Sequence, residues 1–273
     1  MSTQTPPAPA PAPYRTPAAI RRALFALAGL LGVSLVAMGT ISLLDHAARS
    51  TTTERSSYTG VRALAIDGAS DVRLTSAPAG SPLQVRARVT AGLRTPGTDI
   101  RRRGDGTLEL SASCPVLFGG SCDVDYEIAV PEGTEVRVDT GAGDVRAEGL
   151  SSTVPIELES SAGDITVADL TAPELRLSTS AGDVDGSDVR APTVRAVSSA
   201  GDVSLSLRTA PERVDADSSA GDVELVLPDE TYRIDASSSA GDVDDQQVRN
   251  DPSSPRIVRV RTSAGDIRIE ARD

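Results

Sequence analysis

The chain has 273 residues, enough for one or two ordinary domains, but only 2% of them are aromatic and tryptophan is absent. A bulky globular core is not expected from this composition, which suits thin, layered β architectures filled by Val, Ile, Leu and Ala. The net charge is −12, and residues 58–273 hold 22 arginines against 37 acidic residues, which excludes a nucleic-acid partner because phosphate binding needs a clustered basic surface.

The N-terminal residues 1–19 consist mainly of Pro and Ala, with scattered Ser and Thr. Such a composition buries too little apolar surface to offset the cost of ordering, so we expect an extended or disordered tail. The Pro6–Pro9 spacing fits a PxxP ligand, but a tail this rich in proline produces that spacing by chance.

The next segment predicts a transmembrane α-helix over residues 20–44. Ala23–Leu44 contains no charged residue, and as a helix it is long enough to cross a bilayer core of roughly 30 Å. The alternative is a cleaved signal peptide, whose apolar region is normally about 7 to 15 residues and ends at a small-x-small site. The longer stretch favours a membrane anchor.

The orientation of the anchor follows from Arg15, Arg21 and Arg22, which directly precede the apolar stretch. Positive charges favour the cytoplasmic side. The sequence therefore predicts a single-pass protein of the cell membrane with a cytoplasmic N-terminus and an extracytoplasmic C-terminal domain. Residues 45–57 are interpreted as a polar stalk.

Residues 58–135 are interpreted as a diverged N-terminal β region that caps the rest. Gly68–Val72 reads GASDV, one substitution from a phrase that recurs downstream. Asp105-Gly106 is a hairpin turn signal. A cap is expected because an exposed end would offer unpaired strand edges for aggregation.

Cys114 and Cys122 are the two cysteines of the chain. Outside the membrane, a pair at this separation is most simply a local disulfide that closes a small loop. The alternative is a metal or redox site, but the spacing is not CxxC and the only histidine, His46, lies elsewhere.

Residues 136–273 hold a repeat, and it is the strongest signal in the sequence. The phrase SAGDV, or a close variant, occurs seven times. The glycines that directly precede its aspartates are spaced by 20, 19, 19, 20, 20 and 24 residues. A fixed period near 20 is typical of repeat architectures. These corner glycines are Gly143, Gly163, Gly182, Gly201, Gly221, Gly241 and Gly265.

Each repeat alternates apolar and polar residues on both sides of the Gly-Asp pair, as half-buried strands do. In the fourth repeat, the predicted inward set is Val194, Ala196, Ser198, Ala200, Val203, Leu205 and Leu207. A hairpin meander with a Gly-Asp turn is one arrangement. Only a solenoid requires a near-constant circumference, so we predict an all-β fold, a β-solenoid with coils of about 20 residues.

Stacking the coils places seven aspartates in one column: Asp144, Asp164, Asp183, Asp202, Asp222, Asp242 and Asp266. Neighbouring carboxylates would repel unless they are hydrogen-bonded, hydrated or bridged by cations. One interpretation is that each aspartate caps the turn by bonding to nearby backbone amides. The other is a column of calcium ions, which accept six to eight oxygen ligands. No other cofactor is predicted.

The inward Ser and Thr positions before each Ala-Gly-Asp are interpreted as structural. Buried hydroxyls need partners, and a stacked ladder can supply them along the column or from backbone carbonyls. A serine nucleophile is not expected, because no histidine follows His46 to activate one.

The run Val130–Leu150, the repeated SAGDV phrase and the opening Val61–Leu74 together resemble the bacterial putative-adhesin β-strand-repeat family, a group of domains of unknown function. The resemblance covers about 61–273. It implies a cell-envelope protein with a short N-terminal tail, one membrane span and a β-helical outer domain. It implies no catalytic residues, and the Cys114–Cys122 loop departs from the family pattern.

Three function classes follow. The first is a non-catalytic, adhesin-like structural or binding module, which would contact the membrane through its anchor and offer its surface to a cell-wall polymer or an envelope protein. The second is an envelope-sensing component that acts through a membrane partner. The third is a carbohydrate-active enzyme, for which two carboxylates can suffice, although the repeat offers short loops and a single aromatic, Tyr232.

Overall fold

The computed structural model describes residues 18–93, 95–113 and 122–272. Within these ranges the chain forms one helix, α1 (Ala18–Ala47), followed by 22 strands. The strands before the regular repeats are β1 (Ser50–Tyr58), β2 (Ala63–Ala69), β3 (Val72–Ala77), β4 (Leu83–Ala91), β5 (Gly97–Arg102), β6 (Thr107–Ser113) and β7 (Cys122–Pro131). The repeats supply β8 (Glu135–Thr140), β9 (Val145–Glu148), β10 (Ile156–Ser160), β11 (Ile165–Ala168), β12 (Glu174–Thr179), β13 (Val184–Val189), β14 (Thr193–Ser198), β15 (Val203–Leu207), β16 (Arg213–Ala220), β17 (Val223–Pro228), β18 (Thr231–Ser238), β19 (Val243–Asp244), β20 (Arg249–Asn250), β21 (Ile257–Ala264) and β22 (Ile267–Arg272).

Helix α1 contains the apolar stretch of the sequence. In the part of the chain that the structure describes, no helix is both long and apolar enough to span a membrane. The transmembrane helix over residues 20–44 is therefore not confirmed and stays a prediction. Most of the predicted tail, residues 1–17, lies outside the described residues.

The strands form two sheets of 11 strands each. Sheet A has the order β1-β4-β7-β3-β9-β11-β13-β15-β17-β22-β19, and sheet B has the order β20-β18-β21-β16-β14-β12-β10-β8-β2-β6-β5. Each repeat contributes one strand to sheet B and, after its Gly-Asp corner, one to sheet A. Equivalent strands pair in parallel and in register, as Ile156 of β10 does with Leu175 of β12. This pairing confirms the solenoid and excludes the hairpin meander, whose consecutive strands would pair antiparallel.

The core lies between the two sheets and follows the predicted alternation. In the fourth repeat Val194, Ala196, Val203, Leu205 and Leu207 are each no more than 1% exposed, and Ser198 is also buried. Ala200 is exposed, so its predicted inward position is wrong. The physical reason is that strand β14 ends at Ser198 and the chain bends through the next residues, so the two-residue period of a strand no longer applies there.

The order of the last coils departs from the order of the sequence. Strand β21 pairs with β16 on one side and with β18 on the other, both in parallel. In sheet A, β22 likewise lies between β17 and β19. The seventh repeat is therefore inserted between the fifth and the sixth, which explains why the last spacing is 24 residues instead of 19 or 20.

The N-terminal strands extend both sheets. Strand β2 pairs with β8 and β3 with β9, all in parallel. Beyond them, β4 pairs antiparallel with β7 and with β1, and β5 forms an antiparallel hairpin with β6. The turn signal at Asp105 is confirmed, because its Oδ1 accepts the amide of Thr107 at 2.9 Å within that hairpin. Residues 50–57, assigned above to a stalk, form most of strand β1.

Candidate functional site

The seven Gly-Asp corners stack directly on one another, and the corner glycines allow this. Gly201 has a φ of 147°, in a region of backbone conformation that is essentially restricted to glycine. A Cβ built on it would lie 2.1 Å from the carbonyl oxygen of Gly182 in the neighbouring coil. At all seven corner glycines the nearest backbone oxygen would lie between 1.7 and 2.3 Å from such a Cβ. Positive φ and close backbone approach therefore both require glycine here.

The aspartates that follow the glycines form what we call the aspartate ladder, and each one bonds to the next coil. The Oδ1 atom of Asp164 accepts the backbone N–H of Asp183 at 2.9 Å, and the same bond repeats along the column at 2.7 to 3.0 Å. Because of the inserted last coil, the spatial order ends with Asp222, Asp266 and Asp242. The column is thus held together by charge-assisted hydrogen bonds between coils.

The aspartate ladder includes one more aspartate, Asp71, which precedes the seven predicted ones. Asp71, in the GASDV phrase, accepts the backbone N–H of Asp144 at 2.9 Å through its Oδ1. The phrase itself was the available signal, since it differs from GAGDV by one residue. Asp125 of β7 lies beyond Asp71. Burial raises its pKa, the neighbouring carboxylates of Asp71 and Asp123 raise it further, and the Asp71 backbone N–H and Arg88 lower it.

A second ladder, of buried hydroxyls, runs beside the corners. Six of the seven predicted Ser and Thr positions donate to the glycine carbonyl of an adjacent coil, as Ser198 does to Gly182 at 2.9 Å and Ser218 does to Gly201 at 3.0 Å. Thr179 and Thr262 make the same bond at 3.0 and 2.9 Å. The exception is Thr140, which donates to the Glu159 carbonyl at 3.4 Å. Of the two partners that sequence reasoning left open, the backbone carbonyls are therefore the ones used.

The carboxylates of the ladder interact with their surroundings through charge. Asp144 accepts a bond from Arg146 at 3.0 Å through its Oδ2. Burial raises the pKa of Asp185, and the ladder members Asp183, Asp164 and Asp202 raise it further.

Across the described ranges 18–93, 95–113 and 122–272, no group of three or more His, Cys, Asp and Glu side chains forms a candidate metal site. The calcium column stays a prediction, and one oxygen of each inter-coil carboxylate is already bonded to an amide.

The outer faces of both sheets carry rows of charged side chains. On sheet B, Arg137 of β8 pairs with Glu157 of β10 at 2.9 Å, and Arg259 of β21 lies 3.6 Å from Asp215 of β16. Such exposed pairs contribute little to stability, typically about 0.2 to 1 kcal/mol each. Their regular spacing nevertheless gives the outer face of sheet B a repeating pattern of charge at the distance between strands.

The predicted disulfide cannot be placed completely. Cys122 begins strand β7, whereas Cys114 belongs to residues 114–121, which lie outside the described residues. The Cys114–Cys122 pairing therefore stays a prediction.

Comparisons with known proteins identify the family of the β-strand region. Residues 116–270, more than half of the chain, match the Toastrack DUF4097 family. No curated protein matches the chain.

Three solved structures are similar in outline. A putative adhesin from Bacteroides fragilis NCTC 9343 is 15% identical, with 81% of this chain and 97% of that chain covered and a TM-score of 0.46. A putative adhesin from Parabacteroides merdae ATCC 43184 is 10% identical, with 82% and 97% covered and a TM-score of 0.45. A putative cell adhesion protein from Clostridium sporogenes ATCC 15579 is 14% identical, with 82% and 100% covered and a TM-score of 0.36.

Proposed function

Because the chain belongs to the Toastrack DUF4097 family, we propose that it is a non-catalytic structural and binding module, adhesin-like, that is displayed outside the cell. Its partner would be a cell-wall polymer or another envelope protein. The adhesion named in the descriptions of the three similar structures belongs to those proteins. The proposal rests on the geometry of this chain.

The observation that carries the proposal is the regular use of polar groups at the corners. The ladder carboxylates bond to backbone amides, and the hydroxyls beside them bond to backbone carbonyls. Groups held in this way stiffen the structure, because each bond joins one coil to its neighbour. The side chains that remain for contact are the charged rows on the outer faces of the sheets. They recur from coil to coil, so an extended partner can contact several coils at once.

The proposal includes a membrane anchor at residues 20–44, with the N-terminus in the cytoplasm. Its support is the sequence of Ala23–Leu44, which contains no charged residue, and the arginines that precede it. The test is extraction of membranes at alkaline pH. An anchored chain stays in the pellet, whereas a chain released by signal cleavage appears in the soluble fraction with a shortened N-terminus.

The binding role is tested by a panel of cell-wall polysaccharides and by cross-linking in intact cells. Each polymer is assayed both for retention of the full chain and for the release of new reducing ends. We expect retention without cleavage. Release of reducing ends would show a carbohydrate-active enzyme, and the absence of both a retained polymer and a cross-linked envelope protein would contradict the binding role.

Envelope sensing is separated from adhesion by deletion of residues 1–19. A module that acts only outside the cell keeps its partner and its phenotype without this tail. A sensor that signals through the tail loses its phenotype while it still binds outside. We expect the first result, because the outward charged faces belong to the outer domain.

A further inference from the structure

A cluster of arginines lies on the outer face of sheet A at its N-terminal end. The register of four neighbouring strands places Arg55 of β1 beside Arg86 of β4, Arg86 beside Glu127 of β7, and Glu127 beside Arg73 of β3. Side chains directly opposite each other on paired strands lie on the same face. Three guanidinium groups and one carboxylate therefore share one row, which we call the arginine row.

The single carboxylate in this row is already engaged. Glu127 pairs with Arg86 at 3.1 Å and with Arg88 at 3.7 Å. In the described part of the chain, Arg55 and Arg73 form no ion pair within 4.0 Å and no side-chain hydrogen bond. The Nε atom of Arg86 is buried without a hydrogen-bond partner among the same residues. Like charges placed side by side on a sheet are unfavourable, and the arginine row carries more positive charge than its single carboxylate balances.

The arginine row borders a cavity of about 710 Å³ on the sheet face, a volume in the range of small-molecule sites, roughly 300 to 1,000 Å³. Polar side chains of the next row complete its lining, namely Ser57, Thr75 and Gln84. Ala129 lies between Gln84 and Thr75 in the register, and its short side chain leaves space at the bottom of the cavity. The cavity thus combines the guanidinium groups of the arginine row with hydroxyl and amide groups that can form hydrogen bonds to the hydroxyls of a ligand.

We propose that this cavity is a binding site for a sugar that carries an oxyanion group, a carboxylate or a phosphate, on a cell-envelope carbohydrate. The guanidinium groups of Arg55 and Arg73 bind the oxyanion, since a planar fork of donors matches both groups. Ser57, Thr75 and Gln84 bind the sugar hydroxyls. The inference rests on the proposed binding function and names its ligand class.

A second depression, on sheet B, shows why the arginine row is distinctive. It is lined by Arg176, Arg195 and Arg213 together with four carboxylates, those of Glu157, Glu159, Glu174 and Asp215. Arg176 pairs with Glu174 at 2.8 Å and Arg213 with Asp215 at 3.6 Å. Glu157 and Asp215 also pair with Arg137 and Arg259 of the same face, so most of the charge there is already balanced by ion pairs. Arg195, which has no ion pair within 4.0 Å in the described part of the chain, supplies a matched control.

The test is calorimetric titration of the full chain in a non-ionic detergent. The probes are a trimer of galacturonic acid, glucose 6-phosphate and neutral maltotriose, each at low salt. We expect at least one anionic probe to bind and maltotriose to bind at least tenfold more weakly. Arg55→Gln and Arg73→Gln should each weaken the anionic probe at least tenfold, whereas Arg195→Gln should change it less than twofold. All three variants should melt within about 1 °C of the unmodified chain, because exposed single charges contribute little.

The two anionic probes identify the source of the oxyanion, since preference for one names carboxylate or phosphate as the ligand group. The proposal is overturned if neither anionic probe binds, if maltotriose binds equally well, or if the Arg55→Gln and Arg73→Gln variants bind like the unmodified chain. If envelope polymer is still retained by those two variants, the arginine site fails while the proposed binding function stands.

Discussion

Replacing Gly201 by alanine tests whether the corners are packed as closely as the structure describes. The new Cβ would lie 2.1 Å from the carbonyl oxygen of Gly182 and 2.7 Å from Oδ1 of Asp183. Ordinary contacts between such atoms are longer than 3 Å, so the corner must move by roughly 1 Å. That movement would stretch three bonds between coils: Gly201 N to Ala220 O at 2.9 Å, Asp202 N to Asp183 Oδ1 at 2.8 Å, and Ser218 Oγ to Gly201 O at 3.0 Å.

Two costs combine in this variant. A non-glycine residue held in this backbone region costs about 1 to 3 kcal/mol, and overpacking a filled site costs about 1 to 3 kcal/mol more. The free energy of unfolding should therefore fall by roughly 2 to 6 kcal/mol. For a domain of this size, the expected drop in Tm is roughly 5 to 20 °C.

The assay is thermal unfolding followed by circular dichroism, with Gly141→Ala as the matched control. Gly141 occupies the position that is Ser in the other six corners, and a Cβ built on it meets no atom within 4 Å. Gly141→Ala should therefore melt within about 1 °C of the unmodified chain. If Gly201→Ala melts as the control does, the close approach of successive corners is refuted.

Three further outcomes follow from the ladders. Ser198→Ala removes the donor to Gly182 O and should cost about 1 kcal/mol in urea unfolding, because a partly buried acceptor loses its partner. An unchanged midpoint would contradict a role for the hydroxyl ladder. The pKa of Asp125 is raised in the folded protein, so protonation of Asp125 favours folding. Its contribution to the free energy of unfolding is fully present below the unfolded pKa and is lost as the pH rises through the folded pKa. Asp125→Asn should therefore raise Tm at pH 7 and not at pH 3, whereas Asp139→Asn, on an exposed side chain, should do neither. Calcium or a chelator should leave Tm unchanged, since an oxygen of each inter-coil carboxylate already accepts an amide; a rise with calcium would restore the ion column.

The repeated part of the fold could be predicted because every coil has nearly the same length and the same alternation of apolar and polar residues. The period fixed the circumference, and the alternation fixed which side chains are buried, as Val194 and Leu205 illustrate. Ala200 departs from this pattern because alternation is a property of extended strands and the corner is not extended. The insertion of β21 could not be foreseen, since a spacing of 24 residues fits a longer loop equally well.

The aspartate ladder and the arginine row also differ in whether the sequence reveals them. The ladder aspartates are visible as a column because each stands at the same place in its repeat, and Asp71 carries a trace of the same phrase. The arginine row leaves no such trace. Arg55, Arg73, Arg86 and Glu127 come from four strands of irregular spacing, and the overall negative charge of the chain conceals a local positive surface.

The inserted seventh repeat also sets the order in which the molecule can be completed. As the chain leaves the ribosome, strands up to β17 can join the growing edge one coil at a time. The sixth repeat cannot, because the place beside β16 belongs to β21, which is synthesised later. Strand β18 has the same alternation as β21 and pairs with it residue by residue, so it could occupy that place prematurely. The seventh coil must therefore dock before the sixth or together with it, so the last step of folding carries the risk of a misplaced strand.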